Sequence, residues 1–188
     1  MKAIAALLVT FFCIGNAASA EYGVGISAKS DNGLVYVPID VSPRFRVEPY
    51  IRYSTDGTTS FETSPPQVTL SGQETETLEA GVGIFGLALP HESLRIYYGA
   101  RAGYLNIHTS FDLHFGSETR HESDTSVGYH VAPTFGFEYL FNSHFTLGGE
   151  AAYFYDHFES DEFFGSTSSS VESEGTGTEA FLILRYYF

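Results

Sequence analysis

Fifteen residues, Val127 to Phe141, alternate without a break. Val127, Tyr129, Val131, Pro133, Phe135, Phe137, Tyr139 and Phe141 interleave with Gly128, His130, Ala132, Thr134, Gly136, Glu138 and Leu140. Successive side chains of a strand point to opposite faces, so this run specifies one long strand, greasy on one side and, except at Leu140, small or polar on the other. The design recurs after the Asn142-Ser143 turn, where Phe145, Leu147, Gly149, Ala151, Tyr153 and Tyr155 form one face. It recurs again at the end, with Ala180, Leu182, Leu184, Tyr186 and Phe188 against Glu179, Phe181, Ile183, Arg185 and Tyr187. No stretch after the first twenty residues keeps a helical period or runs apolar for the ~18 residues of a spanning helix. The class is all-β.

Eight strands are predicted: 22–29, 34–41, 45–54, 78–89, 94–115, 127–141, 145–158 and 179–188. In the fifth, the apolar phase runs from Leu94 to Tyr104 and then shifts to Ile107, which predicts a bulge near Leu105-Asn106. Pro49 and Pro133 each remove a ladder donor.

Composition narrows the function classes. With 43% hydrophobic and 16% aromatic residues among 188, the chain is not of the disordered type, and a net charge of -14 argues against a nucleic-acid binder. The segment 1–20 reads as an export signal: Lys2, an apolar run from Ala3 to Ile14, and the small-x-small site Ala18-Ser19-Ala20. The alternative, a transmembrane anchor, needs ~20 apolar residues, and the run is shorter. Phe12 before Cys13 argues against a lipoprotein. The remaining domain, 21–188, holds no Cys, so no disulfide supports it.

Alternation alone leaves open whether the greasy face meets a core or lipid; a secreted soluble barrel or sandwich satisfies it equally. The other face decides. It carries Arg46, Glu48, Arg52, Glu79, Arg95, Arg101, Glu138, Glu150, Glu179 and Arg185, set among Gly81, Gly83, Gly99, Gly103, Gly128, Gly136 and Gly148. Charges of both signs beside small residues fit an ion-pair network filling a narrow lumen, where each Arg has a carboxylate to offset its desolvation. The greasy face is therefore expected against lipid, where a closed barrel pairs every backbone group without leaving an edge.

Two further patterns agree. Tyr22, Phe45, Tyr139, Phe141, Phe145, Tyr186 and Phe188 gather toward one rim, and Tyr53, Tyr129, Tyr153 and Tyr155 toward the other, as interfacial girdles do. Short turns at 42–44, 89–93 and 142–144 alternate with longer links at 55–77, 116–126 and 159–178, the link at 30–33 being the short exception. Bacterial outer-membrane barrels keep short turns on the periplasmic side, which would place both termini there.

The chain resembles the small eight-stranded outer-membrane barrels of the OmpA-like and OmpX or opacity-protein type. The residues that carry the resemblance are the Ala18-Ser19-Ala20 site, the strand Tyr98-Gly99-Ala100-Arg101-Ala102-Gly103-Tyr104, and the alternating end from Ala180 to Phe188. The resemblance implies an eight-stranded antiparallel up-and-down transmembrane β-barrel in a Gram-negative outer membrane. It implies that Leu182, Leu184, Tyr186 and Phe188 form the terminal signal read by the barrel-assembly machinery. The implied partners are outer-membrane lipids including lipopolysaccharide, that machinery, and a host or environmental ligand met through the loops. It also implies a structural, adhesive or envelope-stabilising role without cofactor, and transfers no ligand-binding motif.

Several motifs invite chemistry, and each has a plainer reading. His121-Glu122-Ser123 matches the His-x-Ser arrangement of an outer-membrane lipid A deacylase, Ser as nucleophile and His as base. It is expected in a polar loop, and a second copy, His91-Glu92-Ser93, falls in a turn. Glu118, Glu122 and Asp124, and Glu159, Asp161, Glu162, Glu172 and Glu174, make acidic loops able to attract Ca²⁺ or Mg²⁺ but lack a fixed ligand spacing. His108 and His114, about 20 Å apart at ~3.3 Å per residue, are too far apart to share an ion. The Gly23 and Gly81 pairs precede no helix and are read as small inward positions. Segment 163–178 reads as a mobile loop. The expectation is an integral barrel acting through its loops, with no catalytic residue and no metal; the alternatives are a lipid-modifying enzyme and a narrow ion-conducting pore, a wide pore being disfavoured at eight strands.

Overall fold

The computed structural model describes residues 20–28, 33–58, 61–63, 68–115, 118–164 and 167–188. The export signal, up to Ser19, lies outside the described residues. Ten strand segments follow one another: β1 (Glu21–Ala28), β2 (Gly33–Tyr36), β3 (Ile39–Ser42), β4 (Phe45–Thr58), β5 (Phe61–Thr63), β6 (Val68–His91), β7 (Leu94–Phe115), β8 (Glu118–Leu140), β9 (Phe145–Phe164) and β10 (Thr167–Tyr187). β2 and β3 are two halves of one stave, both lying between β1 and β4. β5 pairs only with the start of β6. The other segments run antiparallel, each beside its sequence neighbour, from β4 through β6, β7, β8 and β9 to β10. β10 then pairs with β1, Gly23 opposite Tyr187 and Ala28 opposite Leu182, and the ring closes as eight staves.

Period two is kept around the ring. Arg46 and Glu48 on β4, Tyr97 and Arg101 on β7, Glu138 on β8 and Ile183 and Arg185 on β10 are buried, while their neighbours Tyr98, Phe137, Tyr139 and Leu182 are about half or more exposed. The greasy face is thus outermost and the charged face sealed within, the inverse of a soluble barrel. From Tyr129 to Tyr139, ten residues at ~3.3 Å along a strand tilted about 40° span roughly 25 Å, the height of an outer-membrane apolar band.

Two local features differ from expectation. There is no bulge at Leu105-Asn106: β7 keeps register with both neighbours there. Leu105 simply faces inward and is buried, so the apolar phase moved because the lumen accepts an aliphatic residue above the charges. The second stave is broken at Val37-Pro38, since Pro38 has no N–H for a ladder. Its carbonyl instead accepts from Gly23 N at 3.0 Å. At Pro133, as its missing donor leads one to expect, the ladder has a gap: Ala132 and Pro133 have no partner on β9, while Val131 opposite Tyr155 and Thr134 opposite Ala152 keep one register.

The described parts of the long links are strand. β6, β7, β8, β9 and β10 run on well past the upper aromatic rim, and the segment 167–178 is strand. Beyond the membrane both faces of a hairpin are wet, so Ser, Thr, Glu and His sit on either side and no alternation of hydropathy marks the strand.

Candidate functional site

The barrel interior is the most elaborate arrangement in the molecule, and period two builds it: each stave sends every second side chain inward. Near the end that holds the short turns, Arg46 meets Asp40 at 2.6 Å and Glu138 at 2.9 Å, and Arg95 meets Asp40 at 2.7 Å. Arg185 joins Glu138 at 3.2 Å to Glu48 at 3.0 Å, and Arg101 joins Glu48 at 2.5 Å to Glu150. Four guanidiniums face four carboxylates, so this tier is neutral as a whole. Toward the hairpin end, Arg52 lies between Glu79 at 3.5 Å and Glu179 at 3.0 Å, and Tyr50 Oη donates to Glu79. His130 Nδ1 stands 2.6 Å from Asp156 Oδ1 in the same tier.

All ten charged positions singled out from the sequence thus lie in two connected tiers. Arg46, Glu48, Arg101, Glu138 and Arg185 are almost wholly sealed; Arg52 and Arg95, at the ends, keep a little more exposure, 12% and 11% of the side chain. Isolated ions would be too costly here; paired across the lumen they satisfy one another, and removing a single partner would strand the other.

Aromatic rings fill what the ions leave. Arg185 lies 4.9 Å from the Tyr36 ring and 4.8 Å from that of Tyr97, and Arg101 lies 5.1 Å from Phe85. The Nε of Arg101 and of Arg185 has no oxygen acceptor; these guanidiniums rest on ring faces instead, which attract cations. Inward glycines make the room. A Cβ on Gly136 would meet the Tyr97 ring, one on Gly25 the Tyr36 ring, and one on Gly81 would stand 2.7 Å from Tyr50 Cζ. Each of these glycines is the direct cross-strand partner of that tyrosine.

Sequence reasoning missed several of these interior groups. Asp40, which holds both Arg46 and Arg95, is found only by carrying the inward phase of Leu34 and Tyr36 through Pro38. Tyr36, Tyr50 and Tyr97 are buried, although aromatic residues are the ones a lipid face would claim; their even or odd position is the signal. Tyr187 Oη accepts from Arg46 Nη2 at 2.6 Å. Outside, the short-turn rim carries two runs of ring contacts: Tyr22 with Phe188 at 5.7 Å and Tyr186 with Phe188 at 5.4 Å, and Tyr139 with Phe141 at 5.2 Å and Phe141 with Phe145 at 5.7 Å. Leu182, Tyr186 and Phe188 of the terminal signal face outward.

The other motifs are placed differently. His121 sits on β8 and not in a loop, its Nδ1 2.9 Å from Asp112 Oδ1 on β7, and Ser123 stands opposite Ser110. His91 ends β6 and accepts at Nδ1 from Ser93 N at 3.2 Å. His108 and His114 are engaged separately, with Thr125 at 3.2 Å and Thr119 at 2.8 Å. Among the described residues no three His, Cys, Asp or Glu groups converge as a metal cluster. Glu122 pairs with Arg120 at 2.8 Å, and Glu174 accepts from Tyr155 Oη at 2.8 Å. The side chains of Asp161, Glu162 and Phe163-Phe164 lie outside the described residues.

No protein-family model and no curated protein matches the chain. Solved structures do. The chain is similar to a major outer membrane protein of Thermus thermophilus, with 12% identity, 90% of this chain and 100% of that one covered, and a TM-score of 0.52. A match to Ail, the attachment invasion locus protein of Yersinia pestis, has 14% identity over 90% of this chain and 95% of that one, at a TM-score of 0.46. The closed eight-stave ladder, the outward apolar belt and the likeness to the Thermus protein give the chain the fold of the small integral outer-membrane β-barrels.

Proposed function

We propose that the chain is an integral protein of a Gram-negative outer membrane, with both termini in the periplasm, whose barrel is a sealed anchor for a raised, acidic β-hairpin surface that meets partners outside the cell. The observation that carries this reading is the inversion of the barrel: Arg46, Glu48 and Arg185 are buried while Phe135, Leu182 and Phe188 are more than half exposed. Such a surface is stable only in hydrocarbon. The lumen holds ions and rings where a pore would need water, which favours an anchor over a channel.

The role is read as structural or adhesive rather than catalytic, without a cofactor. His121-x-Ser123 lies eight residues beyond Tyr129, about 26 Å along the strand at ~3.3 Å per residue, well above any acyl ester of the outer leaflet. The hairpins carry Glu74, Glu76, Asp124, Glu159, Glu172 and Glu174, so a basic partner surface, or lipopolysaccharide bridged by divalent cations, is the chemistry they would meet.

The test is a binding comparison on cells carrying the whole chain and on cells carrying a barrel in which the β7–β8 and β9–β10 hairpins are cut back to the upper aromatic rim. Loss of host-cell or matrix attachment in the shortened form, with heat-modifiable gel migration retained in both, supports the reading. Equal attachment by both forms rejects the surface role, and a chain recovered without detergent from the aqueous phase rejects the membrane placement.

A further inference from the structure

The wall of the barrel is not equally tall all round. β1 ends at Ala28 and β2 begins at Gly33, directly opposite each other, whereas β4 continues to Thr58 and β10 starts as far out as Thr167. β1 and the β2–β3 stave stand between β10 and β4, so these taller strands are three strand spacings apart, roughly 14 Å. Above Ala28 and Gly33 this leaves a notch two strands wide. Four residues join Ala28 to Gly33, too few to climb from the level of Leu182 to that of Thr178 and return.

One side of the notch is a long bare strand edge. β10 pairs with β9 from Thr167 to Tyr186, but with β1 only from Leu182 to Tyr187. From Thr167 to Thr178, roughly 36 Å at ~3.3 Å per residue, no described strand lies on its other side. Thr176 and Thr178 are opposite Tyr155 and Tyr153 of the upper rim. The bare edge thus begins where the hydrocarbon ends, as it must, because lipid would leave its N–H and C=O groups without partners. Edges are normally blunted by Lys, Pro or a bulge. Between Thr167 and Thr178 there is no Lys and no Pro, and the β9–β10 register is unbroken. The facing edge of β4, Ser54 to Thr58, is much shorter.

Charge decides what this edge admits. Glu172 lies directly opposite Glu159, a like-charge pair that is unfavourable by itself. Glu174 shares their outward face, and His157 stands 3.7 Å from Glu159 and 3.9 Å from Glu174. The described arginines above the short turns lie in the lumen or, at Arg120, against Glu122. A second copy of β10 would bring only further carboxylates, so the edge disfavours pairing with itself. A strand with Lys or Arg at every second position would set those side chains about 4.5–5.5 Å, Cβ to Cβ, from Glu172 and Glu174.

We propose, resting on the surface role given above, that the free edge of β10 from Thr167 to Thr178 takes up an extended basic segment of a partner protein as an added strand. Backbone hydrogen bonds along the edge hold the segment, and alternate Lys or Arg side chains beside Glu172 and Glu174 select it. The partner class is therefore a protein with an exposed, alternating basic strand or tail.

The experiment titrates the tag-free barrel in detergent micelles with a fluorescein-labelled peptide of alternating Lys and Thr, read by anisotropy at physiological ionic strength. Binding is expected, with slowed hydrogen exchange in β10 and none in β6 or β7. The same peptide N-methylated throughout keeps its charge but has no backbone donors, and is expected to bind at least tenfold more weakly. Glu172→Gln with Glu174→Gln is expected to weaken binding at least tenfold, whereas Glu74→Gln with Glu76→Gln, on another hairpin, is expected to bind as the parent does. Heat-modifiable migration reports that each variant is folded. No binding by the parent overturns the proposal. So does equal binding of the N-methylated peptide, or an equal loss in the Glu74 and Glu76 variant, either of which would mean diffuse attraction to an acidic surface. Should the peptide fail while the cut-back hairpins still abolish attachment, the strand-edge proposal falls and the surface role stands.

Discussion

Arg185 Nη2 donates to Glu48 Oε2 across 3.0 Å, joining β10 to β4, which are not neighbours in the barrel wall. The contact spans the lumen, and both side chains are fully sealed. Each group is also held elsewhere, Arg185 by Glu138 and Glu48 by Arg101, so the pair links opposite walls through a connected set of charges.

Breaking one partner is the sharpest test of that set. Arg185→Ala leaves Glu48 and Glu138 short of a cation and is expected to cost about 3–5 kcal/mol in urea unfolding from micelles. Replacing both partners together, as Arg185→Met with Glu48→Leu, should recover much of the loss, since an apolar pair carries no desolvation penalty. A single variant as stable as the parent would mean the network contributes little.

Cross-strand glycines are predicted to be intolerant wherever a tyrosine lies over them. Gly136→Ala places a methyl in the Tyr97 ring and is expected to destabilise by about 1–3 kcal/mol, whereas Gly33→Ala, with nothing within 4 Å, is expected to be close to neutral. Equal unfolding midpoints for the two would contradict the packing described.

The lipid face is tested by charge. Phe135→Arg, between the rim residues Tyr129 and Tyr139 of β8 and 55% exposed, is expected to cost about 2–4 kcal/mol in folding into vesicles. Thr125→Arg, on the same face of the same strand but above the upper rim, is expected to be within about 0.5 kcal/mol of the parent. Similar penalties at the two positions would remove the membrane boundary from its place near Tyr129.

A sealed lumen predicts silence in planar bilayers. The parent barrel should show no conductance steps, and Arg101→Ser combined with Arg185→Ser, which removes the two guanidiniums lying against Tyr36 and Tyr97, should produce small steps or a leak from loaded vesicles. Steps from the parent would favour the narrow-pore alternative.

Phe188 separates an assembly role from a packing role. Among the described residues its ring meets those of Tyr22 and Tyr186, at 5.7 and 5.4 Å. Deleting it is expected to lower the amount of folded barrel reaching the outer membrane in cells while changing the unfolding midpoint of purified protein little. A large loss of stability in the purified protein would assign Phe188 to packing.

The alternation from Val127 to Phe141, the Arg and Glu residues on the inward phase and the aromatic rims were sufficient to read a membrane barrel and its ten interior charges from the chain alone. They were legible because lipid on one side and a narrow lumen on the other impose opposite chemistry on successive residues. Where that contrast vanishes, so does the signal. Above the membrane both faces of β6 to β10 are in water, so long strands looked like loops, and His121 fell in one of them. Tyr187 was legible on the inward phase beside Arg185, but Tyr36, Tyr50 and Tyr97 were assigned to neither face, because an aromatic side chain suits hydrocarbon and a glycine-lined lumen alike.

Which Arg meets which Glu, that Asp40 serves two of them, and that Asp112 lies opposite His121 were decided by the tertiary structure. These contacts depend on strand register and on closure of β10 onto β1, which bring residues as far apart as Glu48 and Arg185 within 3.0 Å. Period two is a local property of the backbone and is written in every strand. Register is a property of the closed ring, set only when all eight staves and the rings and ions between them are fitted together at once.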